Sequence, residues 1–235
     1  MEQKAKFFRN IIANLVLVAT LCVAIVFVSR VPVSSAVIVE PVREGSCANS
    51  VSIAITATRE SSHIEAMLQV LAEKEVIATF FVSGSWVVEN SAMLKQIHAH
   101  GHHIGNYGFF NVSLKSVGVD RLIDEIELTH KLVQEKTGVE MNVFMPPMQK
   151  FNEAMIDIAR ALGYTTILDT GTRVGNALDS SSVVDAVLKE LRGGAFIVLP
   201  AKEATFGALS LIVSGITSKN YNVVPIYAVL QNAQT

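Results

Sequence analysis

Between residues 51 and 229, short apolar segments rich in β-branched residues alternate with longer segments of helical periodicity. This alternation predicts repeated strand–helix units, in which each helix returns the chain so that successive strands run parallel. The segment 77–82 is apolar at nearly every position, which is typical of a strand buried on both faces. The predicted strands are 51–57, 76–82, 102–106, 141–145, 165–169, 195–199 and 223–229, and the predicted helices are 62–73, 87–100, 119–136, 152–162, 181–191 and 203–218.

Two α/β architectures satisfy this pattern, a closed barrel and an open, doubly wound sheet. In both, functional side chains lie at the carboxyl ends of the strands. The loops to examine are therefore 57–60, 83–86, 107–111, 145–150, 170–173 and 200–202. The helix ends carry their own signals, since Ser62 and Asn152 are predicted N-caps and Gly138 and Gly163 follow helices where a left-handed residue is favoured.

The N-terminal segment predicts a membrane anchor. Residues 11–28 form an apolar run of 18 residues, enough for a helix to cross a hydrocarbon core of about 30 Å. Lys4, Lys6 and Arg9 precede the run, so the positive-inside tendency places the N-terminus in the cytoplasm and the remainder outside the cell membrane. The alternative is a cleavable signal peptide with a cleavage site at 34–36, which would give a secreted protein.

The domain boundaries follow from the same reading. Residues 1–30 are predicted to form a cytoplasmic stub and the single transmembrane anchor, 31–50 a linker, and 51–235 one folded domain. After Arg30 the chain carries 15 basic and 20 acidic side chains, and this acidic balance argues against nucleic-acid binding. Cys22 lies in the apolar run and Cys47 outside it, so no intrachain disulfide is expected.

Four sequence fragments carry a resemblance to a known family. They read ATFFVSG at 78–84, GHHIGN at 101–106, FMPP at 144–147 and ALGY at 161–164. In the same order and with suitable separations, they resemble the fragments A-T-F-F-V-x-G, G-H-E-I-G-N, F-R-P-P and a-L-G-Y of the polysaccharide deacetylases (NodB homology domain, carbohydrate esterase family 4). The resemblance covers about residues 51–230 and implies an irregular (β/α)7-type barrel, here preceded by one N-terminal transmembrane helix.

Active members of that family hydrolyse an N-acetyl group on a cell-wall or chitin-like sugar. One Asp and two His hold a divalent ion that polarises the amide carbonyl and its water, a second Asp acts as base and a later His as acid. The resemblance places these roles on residues of different chemistry in this chain. The catalytic positions fall on Thr58 (base), Met145 (its Arg partner), Thr172 (the Asp that tunes the acid) and Pro200 (acid), and the metal positions on Arg59, Tyr107 and Asn111.

These substitutions predict a degenerate member without metal cofactor, a pseudoenzyme that acts by binding. A threonine hydroxyl cannot replace a carboxylate base at neutral pH, and a guanidinium repels a dication. We expect Arg59, Tyr107, Asn111 and Trp86 to form the binding face, with Arg59 ion-paired in the emptied pocket. The expected partner is cell-wall glycan (peptidoglycan or another N-acetylglucosamine polymer) or an envelope or sporulation protein.

Other interpretations remain open from sequence alone. A true N-deacetylase with a rebuilt site would need Glu60, His103 and Asp169 to converge around Thr58. A relocated metal site would draw on His98, His100, His102 and His103, or on the pair His103 and Tyr107, although a helix C-terminus decorated with histidines explains the cluster more simply. A structural role in spore or envelope assembly is the third possibility.

Overall fold

The structure, a computed structural model, describes residues 40–171, 174 and 179–231. The predicted cytoplasmic stub, the predicted anchor at 11–28 and the first part of the predicted linker lie outside the described residues. Among the residues that are described, no helix has the length and apolar character needed to cross a membrane.

Strands and helices alternate along the described chain. The strands are β1 (Ser50–Ala57), β2 (Thr79–Val82), β3 (His103–Asn106), β4 (Val143–Phe144), β5 (Thr165–Thr166), β6 (Phe196–Pro200) and β7 (Asn222–Val223). The helices are α1 (Ile64–Glu73), α2 (Gly84–Glu89), α3 (Ser91–Ala99), α4 (Val119–Thr137), α5 (Glu153–Ala161), α6 (Ser180–Lys189), α7 (Glu203–Ser218) and α8 (Ile226–Gln231), and a short 3-10 helix spans Pro147–Gln149. All pairs between named strands are parallel, as the alternation predicted.

The sheet is a curled half-barrel rather than a closed ring of strands. Its order is β5-β4-β3-β2-β1-β6, and β7 pairs with the start of β1. The segment around Val42 lies between the two outer strands, because Val42 pairs with Ile167 just after β5 and Glu44 pairs with Ala195 just before β6. Residues 40–50, which the sequence assigned to a linker, are therefore in part hydrogen-bonded into the folded domain.

Alternate side chains of β1, β2, β4 and β6 enter two separate apolar clusters. One cluster joins Ile53, Phe80 and similar positions to the apolar faces of α1 to α7. The other joins the intervening positions, including Phe81, Met145 and Phe196, and lies on the concave side of the sheet. The interior of the half-barrel is consequently filled by apolar side chains up to the level of Met145.

Helix α8 corrects the prediction of a strand at 223–229. Only Asn222–Val223 pair with β1, and the chain becomes helical from Ile226. Ile226 and Val229 then insert into the inner cluster, which explains why an apolar pattern there looked like a buried strand.

Helix ends differ from the predictions at two places. The predicted helix 87–100 is two helices that meet at Asn90, whose side chain donates to the carbonyl of Trp86 at 3.0 Å. Ser62 does not cap α1, because the N-cap residue is His63 in the left-handed region with φ 62°. The predicted cap at Asn152 is confirmed, since its side chain accepts from the amide of Met155 at 2.9 Å, and Gly138 and Gly163 have the expected positive φ of 74° and 85°.

The buried side chain of His102 lies just before β3, at its amino end. Function is expected at the opposite, carboxyl ends of the strands. Its Nδ1 accepts a hydrogen bond from the amide of Ala78 at 3.2 Å, and its Nε2 is buried without a partner among the described residues. Burial, and secondarily the neighbouring His100 and His103, lowers the pKa of His102 to about 4. The folded domain therefore holds this ring neutral.

We predict that His102 makes the domain sensitive to acid. The pKa of this ring is 6.5 in the unfolded chain and about 4 in the folded chain. The free energy of unfolding is therefore highest above pH 6.5 and falls by about 3 kcal/mol as the pH is lowered from 6.5 to 4. His102→Asn retains an acceptor for Ala78 and should remove this slope in urea unfolding measured from pH 4 to 7. The exposed control His98→Asn should retain it, and an unchanged slope in His102→Asn would contradict the assignment.

Candidate functional site

The loops that follow β1 and β3 meet at the carboxyl edge of the sheet, and Glu60 joins them. Its Oε2 accepts from the hydroxyl of Thr58 at 2.8 Å and from the side-chain amide of Asn111 at 3.1 Å. Thr58 is buried and Glu60 is exposed at the rim. The predicted base position and one predicted metal position are thus linked through a carboxylate that belongs to neither.

The charges of this cluster are set by its hydrogen bonds and its burial. The bonds from Thr58 and Asn111 lower the pKa of Glu60, so its carboxylate is ionised at neutral pH and cannot serve as an acid. Burial raises the pKa of the Tyr107 hydroxyl, which is therefore protonated. A neutral phenol is a poor ligand for a divalent ion, since metal sites use imidazole, thiolate or carboxylate groups.

Arg59 and Trp86 do not take the positions expected of them. Arg59 points outward, with 59% of its side chain exposed, and pairs with Glu89 of α2 at 2.8 Å. It does not lie in the emptied pocket, and Glu60 at the exposed rim is the residue of this turn that contacts Thr58 and Asn111. Trp86 is only 3% exposed and packs in the outer apolar cluster, so it offers no free face to a sugar ring.

The other residues predicted at catalytic or metal positions are either apolar or hydrogen-bonded to the backbone. Met145 is fully buried in the inner cluster beside Tyr107. The hydroxyl of Tyr107 accepts from the amide of Met148 at 3.2 Å. Pro200 is half-buried at the end of β6 and its carbonyl accepts from the hydroxyl of Thr205. The prediction for Thr172 lies outside the described residues.

Two buried polar side chains fix the loop after β3. The carboxylate of Glu125 in α4 accepts from the amides of Phe109 and Phe110 at 2.7 and 2.8 Å, while its other oxygen binds Arg121 at 2.6 Å. Asn106 accepts from the amide of Gly108 at 2.8 Å and donates to the carbonyl of Ile126 at 2.8 Å. These hydrogen bonds therefore fix the conformation of the loop, although it carries Tyr107 and Asn111 at the predicted metal positions.

The residues present do not fit a divalent metal ion at this edge. The three family positions supply a guanidinium turned outward, a neutral phenol and one carboxamide. Across residues 40–171, 174 and 179–231, no three His, Cys, Asp or Glu side chains come together as a metal site would require. We therefore derive no catalytic step through a metal in this chain.

The histidines do not provide a substitute at the same edge. His103 begins β3 and stacks on Tyr227 with ring centroids 4.2 Å apart. Four residues of extended strand separate it from Tyr107, about 13 Å, so the two side chains cannot share an ion. The ring of His102 lies 6.4 Å from that of His100, also at the amino end of the strand. The relocated metal site, which the sequence left open as an alternative, is not formed among the described residues.

Comparison with known proteins assigns the family. The sequence profile described as polysaccharide deacetylase matches residues 48–167, about half of the chain. The chain belongs to the polysaccharide deacetylase family. Among curated relatives, it is 28% identical over 172 residues to the uncharacterised protein YlxY of Bacillus subtilis, covering 73% of this chain and 54% of that one. It is 28% identical over 145 residues to the peptidoglycan-N-acetylmuramic acid deacetylase PdaA of B. subtilis, covering 60% of this chain and 55% of that one.

Solved structures show the same fold. The wild-type BA3943 of Bacillus anthracis, described as a carbohydrate esterase family 4 pseudoenzyme, superposes with a TM-score of 0.77 at 23% identity, covering 81% of this chain and 68% of that one. A mutant of BA3943 described as having restored enzymatic activity superposes equally well, with a TM-score of 0.77 at 23% identity, covering 81% and 71% of the two chains. The present chain spans about half the length of the two curated relatives named above.

Of the two carboxylates at this edge, Glu125 was not predicted from the sequence, and Glu60 was predicted only in another role. Glu125 was detectable, because it shares the buried stripe of α4 with Leu122, Ile126, Thr129 and Val133, and a charged residue in such a stripe requires a buried partner. Glu60 was considered only as part of a rebuilt acid–base set. Its neighbour Arg59 had been aligned with a metal position, and no sequence pattern indicates which of two adjacent loop residues turns inward.

We predict that the carboxylate of Glu125 is the main stabiliser of the loop after β3. Glu125→Gln removes the charge that serves Phe109, Phe110 and Arg121, so the free energy of unfolding should fall by about 3 kcal/mol. Chemical denaturation measures this loss. The matched control is Glu127→Gln on the same helix, whose exposed pair with Lys131 should be worth less than about 0.5 kcal/mol. Equal losses in the two variants would contradict the role of Glu125.

Proposed function

We propose that this protein is a cell-envelope member of the polysaccharide deacetylase family that has no metal-dependent deacetylase activity and binds cell-wall glycan at the carboxyl edge of its sheet. The proposal includes a single membrane anchor at residues 11–28 with the folded domain outside the cytoplasm. The observation that carries it is the set of side chains at the metal positions, where Arg59 turns away and Tyr107 and Asn111 are uncharged.

The polar and aromatic groups of the edge support glycan binding. Phe110 is 41% exposed next to Asn111, and the guanidinium of Arg121 lies 5.3 Å from its ring centre on one side. An exposed aromatic face suits the apolar face of a pyranose ring, and Glu60 and Asn111 can exchange hydrogen bonds with hydroxyl and N-acetyl groups. Phe110 takes the role that the sequence had given to Trp86. Relatives named as peptidoglycan deacetylases, such as PdaA, make peptidoglycan the first glycan to test.

The alternative of an active deacetylase with a rebuilt site is not favoured. It requires Glu60, His103 and Asp169 to converge around Thr58. Glu60 does contact Thr58, but His103 lies at the opposite end of β3, against Tyr227. A carboxylate beside a threonine hydroxyl, without an acid or a Lewis acid, cannot supply the proton that an amide leaving group needs.

A second candidate function is the binding of an envelope protein. Several apolar side chains that follow strand ends are exposed at this edge, namely Val88 at 61%, Phe110 at 41%, Val112 at 45% and Met148 at 51%. Exposed apolar residues grouped on one face mark contacts with other proteins. A glycan-binding assay separates the two candidates, because a protein contact of this type does not need the amide of Asn111 or the carboxylate of Glu60.

We predict that the natural chain binds zinc at less than one-tenth of an equivalent and that a variant with the family residues restored binds one equivalent. The restored variant carries Thr58→Asp, Arg59→Asp, Tyr107→His, Asn111→His and Met145→Arg. Mass spectrometry of metal content after dialysis against micromolar zinc measures both proteins, and circular dichroism confirms that the variant is folded. One equivalent of zinc in the natural chain, with chelator-sensitive release of acetate from an N-acetylglucosamine oligomer, would contradict the proposal.

We also predict that Phe110 contributes to glycan binding. Phe110→Ala should weaken retention of an N-acetylglucosamine hexamer, or of purified peptidoglycan, by about fivefold, because stacking on an aromatic ring contributes about 1 kcal/mol. Leu211→Ala, which removes a 60% exposed apolar side chain from α7, is the control and should bind normally. Failure of the natural chain to bind either glycan, with capture of an envelope protein that Phe110→Ala loses, would favour the second candidate function.

A further inference from the structure

The turn between β1 and α1 contains a hydrogen-bonded array that the deacetylase site does not use. The hydroxyl of Ser62 lies 2.8 Å from Nδ1 of His63, and Nε2 of the same ring lies 2.8 Å from Oε2 of Glu203. A hydroxyl on one ring nitrogen and a carboxylate on the other is the arrangement that activates a serine nucleophile. Ser62 and His63 are both accessible from solvent.

The surrounding fold holds Ser62, His63 and Glu203 in place. The amide of Ser62 donates to the carbonyl of Ala201 at 2.9 Å, which ties the turn to the loop after β6. The ring of His63 stacks on Phe206 with centroids 5.2 Å apart and planes 13° apart. Glu203 begins α7, so its backbone is fixed by the helix. The left-handed conformation of His63, with φ 62°, directs its ring toward both partners and is uncommon for a residue other than glycine.

The hydrogen bonds select the productive tautomer of His63. Glu203 is acceptor-only when ionised, so it accepts a hydrogen bond from Nε2–H. Nδ1 then carries the lone pair, and the hydroxyl of Ser62 donates to it. The base is therefore oriented by the carboxylate and is free to remove the proton of the serine.

A pocket lies beside the serine. Its volume is about 340 Å³, and it is lined by Ser62, His63, Trp86, Asn90 and Met93 together with the first turn of α1. No side chain caps that turn, because the N-cap residue His63 makes no capping hydrogen bond. The first turn of this ten-residue helix thus lines a pocket that already holds a nucleophile and a base. The uncapped amides of a helix's first turn stabilise a developing oxyanion.

We propose that Ser62, His63 and Glu203 form a second centre that hydrolyses short acyl esters, such as O-acetyl groups on a glycan. Ser62 Oγ attacks the ester carbonyl carbon while its proton passes to Nδ1 of His63. The C–O bond to the alcohol breaks, and the alcohol leaves with that proton. Water then attacks the acyl-serine, giving a proton to His63, and the carboxylic acid departs as Ser62 recovers its proton. Glu203 acts as a positioning residue, since it does not touch the substrate.

The openness of the centre determines the class of substrate. The side chain of His63 is 34% exposed and that of Glu203 is 80% exposed, so water competes for the hydrogen bonds that orient the ring. An ester releases an alcohol more easily than an amide releases an amine, because the amine must be protonated as it leaves. The pocket of about 340 Å³ has room for a small acyl group together with part of the alcohol, and Trp86, Met93 and Asn90 supply both apolar and polar contacts.

The test is covalent labelling of the full chain with a fluorophosphonate probe, with peptide mapping of the adduct. We expect the adduct on Ser62 and not on Ser181, an exposed serine bonded to Asp179 without an imidazole. His63→Ala should slow labelling about 100-fold, and Ser62→Ala should abolish it. Hydrolysis of p-nitrophenyl acetate should follow the same order, and a chelator should leave it unchanged, which separates this centre from any metal-dependent activity.

Glu203 is tested by its separate kinetic signature. Glu203→Gln should lower kcat by about tenfold and leave KM and the melting temperature unchanged, whereas a merely structural tie between the turn and α7 would lower the melting temperature and affect no turnover. Absence of an adduct on Ser62 in the natural chain would overturn the proposal. So would equal labelling rates in the natural chain and His63→Ala, or ester hydrolysis that persists in Ser62→Ala.

Discussion

The filling of the half-barrel interior is the constraint on which the rest of this structure depends. A Cβ on Gly105 would lie 2.6 Å from the ring of Phe81, so the absence of a side chain there allows Phe81 to enter the interior. Met145, Ile167 and Phe196 complete the cluster, all of them fully buried. The apolar packing reaches the level of the carboxyl edge, where the resemblance had predicted the functional side chains.

This packing explains why uncharged residues occur together at positions 58 and 145. An aspartate at position 58 would be almost fully buried, as Thr58 is, and it would need a cationic partner to offset the cost of desolvation. The position that the resemblance assigns to that partner is Met145, which is an apolar side chain within the core. A neutral threonine at position 58 avoids a buried, unpaired charge. The remaining charge, on Glu60, stays at the exposed rim.

The sequence predicted the architecture well and the side-chain geometry of the edge only in part. Parallel strands and their order along the chain followed from periodicity, and the cap at Asn152 followed from local chemistry. The error at 223–229 arose because an apolar pattern of that length fits either a strand or a buried helix. The outward turn of Arg59 and the left-handed His63 depend on tertiary contacts, with Glu89 and Phe206, which no local pattern encodes. The inner apolar cluster likewise emerges only when the strands are placed side by side.

We expect no divalent ion to bind at the carboxyl edge of the sheet. Crystallography at the zinc absorption edge tests this most directly. Crystals of the domain grown with millimolar zinc should show no anomalous difference peak within bonding distance of Tyr107 or Asn111. A fully occupied peak there, coordinated by Asn111 together with carboxylate or imidazole ligands, would contradict the central claim.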